Sequence, residues 1–139
     1  MYKHILIPTD GSDLSMQGVR HGLALAKSES SKVTTIYVNQ PYPLQSAVVV
    51  DHWNSSQREM AEKALRAVSD AARQAGVEVA VHGATDESPA EAIVSAAREL
   101  GCDLIVMASH GRRGMSRLLL GSQTAEVVAH SPVPVLVVR

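Results

Sequence analysis

The sequence predicts one α/β domain, a five-stranded parallel sheet with helices on both faces. Three observations lead there. Short β-branched apolar runs alternate with longer segments whose apolar residues recur every three or four positions, giving the order βαβαβαβαβ. Residues 103–108 are almost uninterrupted apolar sequence, as in a parallel strand covered on both faces. Aromatic residues make up only 3% of the chain, with no Phe. The core therefore falls to Ala, Val, Leu and Ile, which suits helices packed closely on a sheet.

Residues 4–8 form the first expected strand, closed by the turn signal Pro8-Thr9-Asp10-Gly11-Ser12. Ser12 is the expected N-cap of a helix carrying Met16, Val19, Leu23 and Ala26 on one side. Residues 33–39 are β-branched and predict the second strand. The irregular stretch that follows contains Pro41 and Pro43, and its 47–50 run reads either as a packed flap or as a loop lying against the body. A longer helix is expected from His52 or Ser55 to Gln74, with Met60, Ala64, Leu65, Val68, Ala71 and Ala72 as its stripe and Gly76 at C′.

Residues 77–82 are the third expected strand. Ser88-Pro89-Ala90-Glu91 is a helix start, with Ser at N-cap, Pro at N1 and Glu at N3. That helix carries Ile93, Val94, Ala97 and Leu100, and Gly101 ends it. After the fourth strand, 103–108, comes a glycine-rich loop. Ser122 then opens a helix with Val127 and Val128, and residues 133–138 form the last strand. Pro132 and Pro134 remove ladder donors and place that strand at a sheet edge.

The expected strand order is 3-2-1-4-5, with right-handed crossovers. Ligands in such sheets bind at the carboxyl ends of the strands where the order reverses, here between strands one and four. Two loops meet there, residues 9–12 and the stretch from Ser109 to Ser122. In the eleven positions 111–121 lie three of the nine glycines and three of the thirteen Lys/Arg residues. A strand, a glycine-rich loop and a helix start together present backbone N–H groups to an anion. The plainer account is a turn at Gly114, a capping Ser122, and Arg113 and Arg117 as solvated cations. Asp10 likewise reads as an Asx-turn residue or a ligand-binding one, and His110 as a local hydrogen-bond partner or a sugar or phosphate contact. No Gly-Lys-Ser/Thr and no Gly-x-Gly-x-x-Gly occurs, so neither a Walker A loop nor the dinucleotide fingerprint is present.

Other classes are disfavoured. A net charge of −1 lacks the basic footprint of a nucleic-acid binder. One cysteine, Cys102, permits no intrachain disulfide and reads as a small buried hydrophobe. The six histidines form no close pair suited to zinc. No stretch is apolar and long enough to cross a bilayer or act as a signal sequence, so the cytoplasm is the expected location. No nucleophile–base pair or paired acids stand out, so a dedicated enzyme is not expected.

The chain resembles the universal stress protein family along its whole length. Lys3-His4-Ile5-Leu6-Ile7-Pro8-Thr9-Asp10-Gly11-Ser12 looks like that family's first strand and turn. Asp103-Leu104-Ile105-Val106-Met107 with Ser109-His110-Gly111 looks like its fourth, and residues 131–138 like its closing strand. ATP-binding members carry G-x2-G-x9-G-[S/T]. Gly111, nine intervening residues and Gly121-Ser122 match, whereas Ala108 replaces the first glycine.

The resemblance implies an adenine nucleotide alpha hydrolase-like, Rossmann-like fold that binds ATP with Mg2+. It implies that Asp10, beside Pro8 and Thr9, bonds ribose or adenine, and that the Val38 backbone contacts adenine. Met107 and Ala108 would line the sugar, with His110 near sugar or phosphate, and Gly111 and Arg112 would face phosphates. Gly121, Ser122, Gln123 and Thr124 would hold the terminal phosphate and its cation. The resemblance also implies a homodimer through the last strand, at Val133, Val135, Leu136, Val137 and Val138. The expected function is a stress-response regulator in which nucleotide orders the 108–122 loop for an unidentified protein partner, without nucleic acid or membrane insertion. A nucleotide-free dimeric scaffold and a slow ATP hydrolase are the competing readings.

Overall fold

The computed structural model describes residues 1–43, 49–110 and 120–139. Among these residues five strands, β1 His4–Pro8, β2 Lys32–Asn39, β3 Val79–Thr85, β4 Leu104–Ala108 and β5 Val135–Val138, alternate with four helices. The helices are α1 Asp13–Glu29, α2 Val50–Ala75, α3 Pro89–Glu99 and α4 Ser122–His130. The sheet order is β3-β2-β1-β4-β5, as the alternation predicts, and every pairing is parallel.

Strand alternation divides the core into two layers. Ile5, Ile7, Leu104, Val106 and Val138 pack with Met16, Val19, Leu23 and Ala26 of α1 and Val68 and Ala72 of α2. Leu6, Ile36, Ile105 and Met107 point the other way, onto Ala90, Ile93, Ala96 and Ala97 of α3 and Val127 of α4. Small helix residues let the helices approach closely. A Cβ on Gly18 of α1 would lie 2.9 Å from the Ala108 nitrogen of β4.

Several boundaries differ from the expectations, each for a local reason. Helix α2 starts at Val50 rather than at His52 or Ser55. Its N-cap, Val49, makes no side-chain cap, so no hydroxyl or carboxamide marks the start. Tyr42 and Trp53 meet edge to face with centroids 6.3 Å apart, tying the segment before α2 to its first turn. Of the 47–50 run, Ala47 and Val48 lie outside the described residues. Val49 and Val50 are 69% and 47% exposed, so neither packs against the body.

Strand β3 starts at Val79, not Val77, because the Val77 N–H is spent on Ala72 O (3.0 Å) in closing α2. It runs on to Thr85, opposite Asn39, since β2 offers a partner that far. Strand β5 starts at Val135, not Val133. Ser131 Oγ holds the Val133 carbonyl at 2.6 Å and its N–H at 3.1 Å, keeping that residue out of the ladder.

Helix α3 starts as expected, with Ser88 at N-cap, Pro89 at N1 and Glu91 at N3. Ser88 Oγ accepts from Glu91 N at 3.2 Å, but Ser88 N donates to Asp86 Oδ1 at 2.9 Å rather than to Glu91. Ser122 opens α4 as expected, as its first helical residue rather than as its N-cap. Gly121 takes that position, with no side-chain hydrogen bond. Cys102 is buried, and burial pushes its thiol up to about 11. Among the described residues no helix is long and apolar enough to cross a membrane.

Candidate functional site

The reversal of strand order falls between β1 and β4, and the segments following those strands meet there. Register pairs Ile5 with Leu104 and Leu6 with Ile105; continuing it sets Pro8 beside Met107 and Thr9 beside Ala108. All four are buried. Val38 is half-buried two residues beyond Ile36, the partner of Pro8 on the other side of β1. The topology thus brings Pro8, Thr9, Val38, Met107 and Ala108 to one end of the sheet.

The turn after β1 is built from hydroxyls. Thr9 Oγ1 lies 3.1 Å from Ser15 Oγ and accepts from Gly11 N at 3.1 Å. Ser15 Oγ donates to Ser12 O at 3.0 Å, and Ser12 Oγ caps α1 by accepting from Ser15 N at 3.2 Å. Asp10 Oδ1 accepts from Ser12 N at 2.9 Å, an Asx-turn. Gly11 adopts φ 84°, a left-handed conformation that favours glycine. Ser15 is 5% exposed and organises this network, yet as a lone serine in a first helical turn it carries no motif.

The far wall starts where β4 ends. Ser109 N bonds to Val138 O at 2.8 Å, extending the β4–β5 ladder by one residue. Ser109 O in turn accepts from Gly121 N at 2.8 Å, which moors α4 to β4. Thr124 Oγ1 reinforces the junction with a buried 2.9 Å bond to Ala108 O. Ser109 Oγ lies 3.1 Å from His110 Nδ1, and both residues are buried. His110 therefore has the local hydrogen-bond partner that the plainer account gives it.

Gly121 has a packing reason to be glycine. A Cβ there would lie 3.1 Å from Ser109 O and 3.3 Å from His110 Cα. Beyond it, Ser122 and Gln123 are exposed while Thr124 is buried. Gln123 Oε1 accepts from Ala90 N of α3 at 2.9 Å. Gly111 and Arg112, together with Arg113, Gly114 and Arg117, lie outside the described residues.

Ala108 stands where the ATP-binding pattern has glycine. Alternation from Leu104 and Val106 directs its side chain to the α1 face, where Gly18 leaves room. Gly18 is a second residue that motif reading overlooks; it carries no signal except its place on the buried side of α1.

Two hollows adjoin this architecture. One of about 330 Å³ lies against the site and is lined by Asp13, Leu14, Gln17, Ser109, His110 and Arg139. A larger, open basin of about 940 Å³ lies at the opposite end of the sheet, among Lys27, Ser30, Lys32, Gly76 and Val79. There α1 and α2 present their carboxyl ends, a polarity that disfavours phosphate. At the reversal, by contrast, α1 and α4 present their amino ends. Among the described residues no group of three His, Cys, Asp or Glu side chains is arranged to hold a metal.

Comparison with known proteins agrees with this fold. The universal stress protein family matches residues 1–139. A universal stress protein of Methanocaldococcus jannaschii is 35% identical, covering 100% of this chain and 83% of that one. A universal stress protein solved in complex with cAMP superposes with TM-score 0.78 at 28% identity, covering 99% of this chain and 97% of the other. The UspA protein of Lactobacillus plantarum superposes more closely, with TM-score 0.87 at 23% identity, covering 99% and 98%. At that identity it supports the fold alone.

Proposed function

The chain belongs to the universal stress protein family, and from that premise we propose that it binds an adenine nucleotide, ATP with Mg2+, at the carboxyl ends of β1 and β4. The observation that carries the proposal is the start of α4. Helices α1 and α3 have their first N–H groups capped by Ser12 and Ser88, while α2, which like α4 has no side-chain cap, starts away from the strand-order reversal. Helix α4 begins at Gly121 with no side-chain cap. Its first-turn N–H groups, at Ser122, Gln123 and Thr124, face the strand-order reversal of a parallel sheet, where such folds take phosphates. The dipole favours an anion there by roughly 0.3–1 kcal/mol. The cAMP held by a relative 28% identical supports an adenine ligand.

In this proposal Pro8, Thr9, Asp10, Val38, Met107 and Ala108 flank the nucleoside, and Gly121, Ser122, Gln123 and Thr124 address phosphate. The molecule acts as a binding protein, because the hydroxyls of Thr9 and Ser15 are engaged with one another and with backbone rather than poised for proton transfer. The proposal extends to a two-fold dimer through the edge strand β5. Its support is the exposure of Leu136, at 42%, beside half-buried Val133, Val135 and Val137 and buried Val138. An apolar edge of this kind calls for cover.

One observation favours a nucleotide-free scaffold instead. The Asp10 carboxylate already accepts from Ser12 N, so the turn is hydrogen-bonded without a ligand. Calorimetric titration with Mg-ATP and with cAMP separates the two readings. Binding in the micromolar range is expected, and the absence of heat with either nucleotide would leave the scaffold. Sedimentation tests the dimer: Leu136→Glu is expected to convert a dimer to a monomer, and a monomeric parent protein would overturn that extension.

A further inference from the structure

We propose that the outer edge of β3 is a docking site for an extended segment of another protein, an uncharged strand with Lys or Arg at both ends. The sheet has two edges, β3 and β5. The dimer proposed above concerns β5 and leaves β3 open.

Backbone direction shows what β3 has to offer. Asp86 N donates to Asn39 O at 3.1 Å, so the even-numbered residues of this segment turn N–H and C=O toward β2. Alternation turns those of Val79, Val81, Gly83 and Thr85 outward. Among the described residues no hydrogen bond reaches these outward groups. Val81 is 56% exposed, and Gly83 and Thr85 are exposed as well. A Cβ built on Gly83 would meet nothing within 4 Å. Edge strands are ordinarily blunted by Lys, Pro or a bulge. The β3 sequence, Val-Ala-Val-His-Gly-Ala-Thr, contains neither residue, and its register with β2 runs unbroken through all seven positions. Such an edge takes an added strand by main-chain hydrogen bonding.

Charge names the occupant. Glu78 lies exposed just before the strand, and Asp86 and exposed Glu87 follow it. A second copy of this chain laid antiparallel about His82 would set Glu78 against Asp86 at both ends, and like charges directly opposite are destabilising. A strand with a cation at each end meets carboxylates in either direction. Its uncharged middle would match the seven residues of β3, a span of about 23 Å.

The test uses the full chain and a fluorescein-labelled, blocked peptide of alternating valine and threonine, as long as β3, with lysine added at both ends. A counterpart carries glutamate there. Anisotropy is expected to show the lysine peptide binding about tenfold more tightly than the glutamate peptide. Hydrogen exchange at Val81 and Gly83 is expected to slow with the lysine peptide, while exchange at His82 and Ala84, which face β2, stays as it was. Gly83→Pro removes an outward donor and no bond of the fold, and is expected to weaken the lysine peptide by about tenfold or more. Glu78→Lys combined with Glu87→Lys is expected to reverse the preference between the peptides. Equal affinity for the two peptides, or exchange at Val81 and Gly83 unmoved by either, overturns the proposal. So does slowing at those amides that grows with protein concentration in the absence of peptide, which would give the edge to a second copy of the chain. None of these results depends on nucleotide binding.

Discussion

Gly18 of α1 lies so close to Ala108 of β4 that a Cβ at position 18 would sit 2.9 Å from the Ala108 nitrogen and 3.2 Å from the Met107 carbonyl carbon. Both neighbours are backbone atoms of a central strand and cannot swing aside. Gly18→Ala should therefore destabilise the fold by about 1–2 kcal/mol, with overpacking outweighing the roughly 1 kcal/mol that alanine adds in helix propensity. Urea denaturation measures it. A neutral or stabilising result would mean that α1 can withdraw from β4 without loss.

Ala108 is held from a second direction by the hydroxyl of Thr124, whose 2.9 Å bond to the Ala108 carbonyl is buried. Thr124→Val keeps the shape and leaves that carbonyl without its partner. The expected loss is about 1–2 kcal/mol of stability. Because this bond also sets where α4 begins, nucleotide affinity should fall as well, and titration of the folded variant reads that second effect.

What the sequence revealed and what it hid follow from the range of the interactions. Met16, Val19, Leu23 and Ala26 repeat at helical spacing and all proved buried. The strand order followed from alternating strands and helices. Contacts between elements distant in sequence left no such trace. Gly121 looked like a motif glycine, yet its Cβ position is filled by Ser109 and His110, so substitution there disturbs packing whether or not a ligand binds. Gln123, expected at phosphate, also has its oxygen held by Ala90 N, 33 residues away, a contact that no local pattern announces. Ser15 and Gly18 act through neighbours that only the folded chain supplies.

Asp103 offers a test in acid. Its carboxylate accepts from Lys3 N at 3.1 and 2.9 Å and from His4 N at 3.0 Å, fastening the start of β1 to that of β4. Those bonds hold its carboxyl below the ordinary value of 3.8. A depressed folded-state value means stabilisation that is fully present above the unfolded value and lost as pH falls through the folded one. Asp103→Ala should cost about 1–2 kcal/mol at neutral pH, moderated by solvent screening. The gap between parent and variant should narrow as the pH drops below 3.8. A gap independent of pH would show that packing, not the carboxylate, fastens this corner.

The central claim is that an adenine nucleotide binds where α4 begins, opposite the turn after β1. Backbone amide shifts recorded by NMR during titration with Mg-ATP test it most directly. The expected result is saturable shifts concentrated at Thr9, Asp10, Ser122, Gln123 and Thr124, with Lys27, Lys32 and Val79 at the other end of the sheet unmoved. No shifts at saturating nucleotide, or shifts gathered around Lys27 and Lys32, would contradict it.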